Sequence, residues 1–489
     1  MNFRRTVGPA IVVGLFPLVV MLIMYCLLDC DGSLIKACLG VVAVVRSGSY
    51  AEFFAPFLPN FGSVVFILGF IFAEILFSLL IPAPKYTGPI SPAGRRPTYT
   101  KNGVHALVAT YLLGAFLIAT GILPKSFLFL NLKPLLGTLN VAVFMFCVLL
   151  YIKGLFLPSD AGTVDSRPTG WRIFDFYFGV ELYPRVGPFH IKHFIACRFG
   201  MMLWSVLNTA ALLYQYDTLG YVTRGMLVSV LIEAAYTSKF FLYEPGYMKS
   251  CDMQSDKWGF YLCWGTCVWM PFVHNSQCVY LALHPHPDIS LWAAVALGAV
   301  GLSMVVVNYL SDTQRLDFRE SGGKCLIWGR PAQYITATYT TEDGKTHQSL
   351  LLCSGFWGLT RHFHYLPDLT VTTTASLPAG FGALLPYVHA IYLGILLFDR
   401  VFRQEKRCAA KYGKYWAQYK ARQIQRCKTP PTKPLPERAW ICRLEFPMQQ
   451  RAHGIELGSR GGVRDTVGEE HALGDIRRLA EAGRGGGRT

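Results

Sequence analysis

Charge is scarce in this sequence. Lys, Arg, Asp and Glu make up 16% of its 489 residues, against about a quarter in a typical soluble domain. The shortfall is concentrated in long apolar runs between short polar loops, which excludes an ordinary soluble globular chain. A GxGxxG turn inside a βαβ unit is also missing, so a Rossmann nucleotide site is not indicated. The 14 cysteines have no regular spacing. Cys26, Cys147, Cys197, Cys263, Cys267 and Cys278 lie in or beside apolar runs, as small core residues do, so neither a disulfide framework nor a zinc site is expected. The pairs His284/His286 and His362/His364 lack a third ligand nearby, and no metal site is read from them. No basic domain stands ahead of the first apolar run, so the net charge of +16 belongs to membrane-flanking loops and not to a nucleic-acid surface.

Runs long enough to span a bilayer fall near 7–28, 63–82, 104–123, 139–157, 200–216, 222–243, 259–283 and 288–310, with a further stretch near 375–398. The first is too long for a signal-peptide core and reads as a retained helix. Arg4, Arg5, Lys85, Arg95, Arg96, Lys101, Arg167, Arg172, Arg185, Lys192, Arg198, Arg315, Arg319, Lys324 and Arg330 all fall on one side of the resulting topology, which is therefore cytoplasmic. Arg400, Arg403, Lys406 and Arg407 return the chain to that side after 375–398. Pro378, Gly380, Gly382 and Pro386 break this stretch into two short helices, giving about ten in all. The fold class is an all-α polytopic membrane protein. Tyr334–Leu352 alternates around Asp343-Gly344 and predicts a small cytoplasmic β-hairpin. Three regions follow: membrane helices over 1–310, a cytoplasmic-facing segment with the last helices over 311–419, and a disordered tail over 420–489.

Two stretches carry chemistry, Gly323–Tyr365 and Asp399–Tyr419. Both place cations and aromatic rings beside the membrane surface. Arg315, Arg319, Arg361, Arg407 and Lys411 have the charge to clamp phosphates. Trp357, Tyr365, Tyr412 and Tyr419 have faces to stack on a base or hydroxyls to meet a ribose. Spacing alone fits a positive-inside belt with interfacial aromatics better than a dinucleotide site.

Several motifs go further. GPISPAG at Gly88–Gly94, FCVLLYIKG at Phe146–Gly154, DFYFGVELYPRVG at Asp175–Gly187, CRFGMM at Cys197–Met202, KCLIWGR at Lys324–Arg330 and RHFHY at Arg361–Tyr365 occur in order. Together they resemble the sterol reductases, a family that includes the C-14 sterol reductases, the lamin B receptor and the 7-dehydrocholesterol reductases. The match is closest to the plant and algal delta-7 type. The resemblance extends to Tyr419 and is lost beyond it, where a genuine extension and a gene model crossing a splice boundary both fit.

The resemblance implies ten helices in the endoplasmic reticulum membrane, NADPH in a cytoplasmic-facing pocket and a sterol entering from the bilayer. Other enzymes of sterol biosynthesis are potential neighbours. Carried over by position, the implied cofactor contacts are Arg315, Arg319, Leu352, Trp357, His364, Tyr365, Gln404, Cys408, Ala409, Ala410, Lys411, Tyr412 and Tyr419. Gln404 stands where the family usually has Asp, His274 where a Tyr is usual and Ser255 where a His is usual. The implied reaction is reduction of the 7,8 double bond of a 5,7-diene sterol. A C-14 sterol reductase, a membrane methyltransferase and a non-catalytic scaffold are the alternatives. Ionisable groups inside spans are costly and mark candidate proton donors: Glu233, Tyr236, Tyr261, His274, Tyr280, Tyr387 and His389.

Overall fold

The structure is a computed structural model that describes Phe3 and residues 5–428. Among these, seven helical stretches are long and apolar enough to cross a membrane: Val7–Asp29, Tyr50–Leu80, Leu132–Phe156, Ile191–Leu219, Arg224–Leu242, Leu291–Glu320 and Leu385–Tyr412. Gly103–Ala119, the segmented run 260–283 and Tyr365–Ser376 complete the set of about ten expected from the apolar runs. Large apolar side chains such as Leu68, Phe72, Leu112 and Phe144 face outward. That is a surface suited to lipid and unsuited to water. The chain is a multi-pass membrane protein.

The structure differs from the sequence reading in five places. Leu34–Ser47, missed among the apolar runs, is a helix started by Ser33, whose hydroxyl accepts from the Lys36 N–H, and ended by left-handed Gly48. The run 259–283 is not one helix. A π-turn at Gly265–Trp269 inserts an extra residue, Pro271 opens the next short piece, and a turn at His274-Asn275 precedes Ser276–Leu283. The eighth run does not stop at 310 but continues to Glu320, so Arg315 and Arg319 stand on a helix. The break between Pro378 and Pro386 is present, but the helix after it is long, Val388–Tyr412, and the one before it begins at Tyr365. Lastly, Lys414–Lys428 is helical, so residues 420–428 are not a tail. The disorder expected further on lies outside the described residues.

The hairpin forms as the alternation predicts. Tyr334–Thr340 pairs antiparallel with Thr346–Leu352, Tyr334 opposite Leu352. Gly344 in the turn has φ +78, a conformation open to glycine without strain. The Glu342 N–H donates to the Pro92 carbonyl at 3.1 Å, which fastens the hairpin tip to the GPISPAG loop.

A buried charged knot ties four helix ends. Arg198, fully buried, donates to Asn102 Oδ1 at 2.7 Å and to the Cys197 carbonyl at 3.0 Å, and pairs with Glu244 Oε1 at 2.8 Å. His193 Nε2 meets the same carboxylate oxygen at 2.8 Å, and the Gly103 N–H donates to the other at 3.1 Å. Asn102 Nδ2 in turn donates to the carbonyls of Ser78 and Ile81 at the end of Phe61–Leu80. A Cβ on Gly103 would lie 2.5 Å from Glu244 Oε2, so only glycine lets the carboxylate approach this backbone. His193, Cys197 and Glu244 converge closely enough to resemble a metal set, but both Glu244 oxygens already serve Arg198, His193 and Gly103. Removing one partner of a buried pair leaves an uncompensated charge and costs roughly 3–5 kcal/mol. Glu244→Gln is therefore expected to lower the unfolding midpoint of detergent-purified protein by several degrees. An unchanged midpoint would show that the knot does not hold the helix ends.

Candidate functional site

Helical spacing on Leu291–Glu320 puts Asn308, Asp312, Arg315 and Arg319 on one stripe. With the exception of Asn308, these residues line a cavity of about 900 Å³. Its other walls come from Ile191–Leu219, Arg224–Leu242, the segmented run 260–274, Tyr365–Ser376 and Val388–Tyr412, with loop 86–90, Arg96 and the hairpin at the mouth.

The mouth is cationic and aromatic. The Arg315 guanidinium lies 3.9 Å over the Trp357 ring, a cation–π geometry. Trp357 is locked from both sides: its Nε1 donates to the Ser311 carbonyl at 2.7 Å, and its own carbonyl accepts from Gln423 Nε2 at 2.8 Å. Gly355 sets up this turn with φ +65, and a Cβ there would run into Gln314; Gln314 Oε1 instead accepts from the Phe356 N–H at 2.9 Å. Lys411 sits 3.9 Å over Tyr339, Tyr412 donates to Ser349 Oγ at 3.3 Å, and Gln404 donates to the Tyr365 hydroxyl at 3.1 Å.

The cations offered by the sequence are not equivalent. Arg407 pairs with Asp256, Arg400 with Asp252 at 2.7 Å, and Arg361 with Glu405 at 3.6 Å. Arg319, Lys411 and Arg96 have no carboxylate within ion-pair distance among the described residues, and all three line the cavity. They are the groups left to attract an anion.

Of the positions implied by resemblance, Arg315, Arg319, Trp357, His364, Tyr365, Gln404, Cys408, Lys411 and Tyr412 line the cavity. Leu352 packs beneath the mouth with Phe318, Ile327 and Trp357, and Tyr419 is buried against Trp416 and Leu351. Ala409 and Ala410 are exposed and away from the cavity.

Of the proton-donor candidates, Tyr236, Tyr261, His274 and His389 line the cavity, and Glu233 stands 3.9 Å behind His389. Tyr280 stacks on His284 at 4.2 Å and Tyr387 donates to the Gly380 carbonyl at 2.7 Å, both elsewhere. The His274 and His389 rings stack at 3.9 Å, with Trp204 edge-on to both.

Sequence reasoning missed a chain of polar groups joining the mouth to Tyr236. Asp312 pairs with Lys239 at 2.8 Å, and Lys239 donates to Asn308 Oδ1. Asn308 Nδ2 donates to Asp368 Oδ1 at 2.7 Å, and the Tyr236 hydroxyl donates to the same oxygen at 3.2 Å. A signal was present: Lys239 is a cation inside an apolar span.

Residues 13–428 match the model of the ergosterol biosynthesis ERG4/ERG24 family. The chain is 44% identical over 347 residues to a 7-dehydrocholesterol reductase of Arabidopsis thaliana, covering 71% of this chain and 79% of that one. It is 36% identical to a Delta(14)-sterol reductase of Methylotuvimicrobium alcaliphilum, over 69% of this chain and 76% of the relative. Against a 7-dehydrocholesterol reductase of Xenopus laevis the identity is 35%, with coverage of 69% and 72%.

His364 packs its ring 5.0 Å from Trp357. Burial pushes its pKa down to about 3, with Asp312 opposing and Arg315 adding to the shift. The folded protein thus holds this imidazole neutral while the unfolded chain protonates near 6.5. As pH falls through 6.5 the unfolded state binds the extra proton, so stability drops progressively down to about pH 3. His364→Phe keeps the ring and removes the titration. Its unfolding midpoint is expected to fall less between pH 7 and pH 5 than that of the parent; parallel curves would show that His364 titrates normally.

Proposed function

The chain belongs to the ergosterol biosynthesis ERG4/ERG24 family, a family of sterol reductases, and from that premise we propose that it reduces the 7,8 double bond of 5,7-diene sterols with NADPH in the endoplasmic reticulum membrane. The observation that carries the delta-7 assignment is the 44% identity to a 7-dehydrocholesterol reductase over most of both chains, against 36% to a Delta(14)-sterol reductase. Family membership sets aside the methyltransferase reading.

The residues at the mouth fit a phosphorylated dinucleotide. Arg319, Lys411 and Arg96 offer charge to phosphates. Trp357, fixed by two hydrogen bonds and covered by Arg315, together with Tyr365 and Tyr412, offers aromatic and hydroxyl contacts to bases and riboses. NADPH when bound supplies the hydride. Where a carboxylate is usual, Gln404 is neutral and donates to Tyr365, so it orients that hydroxyl.

An unactivated alkene accepts hydride poorly, so a proton must arrive first. Addition at carbon 8 of a 5,7-diene leaves an allylic cation over carbons 5 to 7, and hydride at carbon 7 completes the reduction. Tyr236 is the donor in this reading. Tyr236 lines the cavity and its hydroxyl donates to Asp368, so a protonated Asp368 carboxyl is the group placed to return the lost proton; Asn308 ties Asp368 to the Lys239–Asp312 pair at the mouth. The Trp204 ring, 6.1 Å from that of Tyr236, adds a negative face near the developing cation.

Microsomes containing the protein are expected to consume the ultraviolet absorbance of 7-dehydrocholesterol when given NADPH. Reduction of 8,14-dienes alone would transfer the protein to the C-14 branch. For cofactor choice, Arg319→Ala is expected to raise the KM for NADPH roughly tenfold or more, about 1.4 kcal/mol per tenfold, with little change in the sterol KM. An unaltered NADPH dependence in the folded variant would remove Arg319 from the site.

A further inference from the structure

At the inner end of the cavity, His274 and His389 line the wall and Glu233 and Gln277 stand behind it, polar groups for which the proton path has no use. Glu233 comes from Arg224–Leu242, His274 from the turn after the π-bulge, Gln277 from Ser276–Leu283 and His389 from Val388–Tyr412. Glu233, Gln277 and His389 are no more than 2% exposed. Gln277 Nε2 donates to Glu233 Oε1 at 2.9 Å. Beyond that bond, Glu233 Oε2, Gln277 Oε1, both ring nitrogens of His274, His389 Nδ1 and Trp204 Nε1 have no hydrogen-bond partner among the described residues. Folded proteins leave few buried polar atoms unmatched. Here six of them gather about a single stacked imidazole pair.

The pair is stacked face to face at 3.9 Å, so its nitrogens point sideways from the stack. Neutral imidazole is donor at one nitrogen and acceptor at the other, carboxylate accepts and indole donates. This mixture matches a hydroxyl, which gives one hydrogen bond and takes two. A sterol has an apolar ring system with one such group, its 3β-hydroxyl. Met270, Leu393 and Leu397 add apolar surface to the cavity walls.

We propose that His274 and His389, which line the cavity, with Glu233 3.9 Å behind His389, form a binding site for the 3β-hydroxyl of the sterol substrate. Seating this hydroxyl fixes how deep the sterol enters and so which ring carbons come beside Tyr236. The proposal rests on the sterol-reductase reading above and deepens it. A site built to bond a hydroxyl rejects an analogue lacking it far more strongly than an apolar pocket rejects a missing methylene.

The experiment is equilibrium competition on the purified full-length protein in detergent, against radiolabelled 7-dehydrocholesterol. Unlabelled 7-dehydrocholesterol is compared with its 3-deoxy analogue. Wild type is expected to bind the 3-deoxy sterol at least tenfold more weakly. His389→Phe is expected to lose affinity for the hydroxylated sterol alone, collapsing the ratio toward one, and His389→Gln, which keeps a hydrogen-bonding group, to recover part of it. Equal affinities in wild type would overturn the proposal and assign the unmatched atoms to water. A full ratio surviving in folded His389→Phe would likewise overturn it. Should His389→Phe fail to fold, the wild-type comparison alone decides. Discrimination without turnover of any diene would support this site while removing the reductase reading.

Discussion

Burying the Arg198 guanidinium inside a helical bundle is tolerable only because Glu244, Asn102 and a backbone carbonyl meet it there. An unpaired charge in so apolar a setting is among the costliest features a chain can carry. The knot is consequently a strong positional constraint. It fixes the end of Phe61–Leu80 through Asn102, the start of Gly103–Ala119 through Gly103, the π-containing part of Ile191–Leu219, and the chain just after Arg224–Leu242 through Glu244. Two of the helices that wall the cavity are held at this point.

The same economy of charge organises the cavity. Acids and bases that face one another are matched: Asp252 with Arg400, Asp256 with Arg403 and Arg407, Asp312 with Lys239. What remains unmatched divides by depth. At the mouth the cations Arg319, Lys411 and Arg96 have no carboxylate beside them among the described residues and suit an anionic ligand, and ring nitrogens of His362 and His364 are unbonded there too. At the inner end the unmatched groups are neutral or mixed donors and acceptors, suited to a hydroxyl. Between them run the contacts from Asp312 to Tyr236. Under the proposed function, a dinucleotide and a sterol would take chemically distinct ends of one chamber, with the reacting carbons between.

The Lys414–Lys428 helix belongs to this arrangement. Gln423 holds the backbone of Trp357, and Tyr419 packs under the hairpin beside Leu351 and Cys353. Sequence reasoning placed the last functional contact at Tyr419 and ended the ordered region there, because the composition turns polar. A polar helix is held by hydrogen bonds and by a few buried rings, neither of which leaves a long apolar run to read.

Much was decided by the sequence itself. Apolar runs separated by basic loops specify a multi-pass helical membrane protein, since only helices satisfy the backbone in lipid without water. Period-two alternation around Asp343-Gly344 specifies the hairpin, and the ordered motifs specify the family. Tertiary structure alone decided three other things. It broke 259–283 at a π-turn and again at His274-Asn275, which hydropathy does not register because a few polar residues are averaged into a long apolar window. It separated Arg319 and Lys411 from Arg361 and Arg407, a distinction that depends on carboxylates far away in sequence, such as Asp256. And it brought Glu233, His274 and His389 together from three elements, leaving Tyr280 and Tyr387 outside. Hydropathy and motif spacing report what lies within a few residues; which buried groups meet is set by how helices distant in sequence pack.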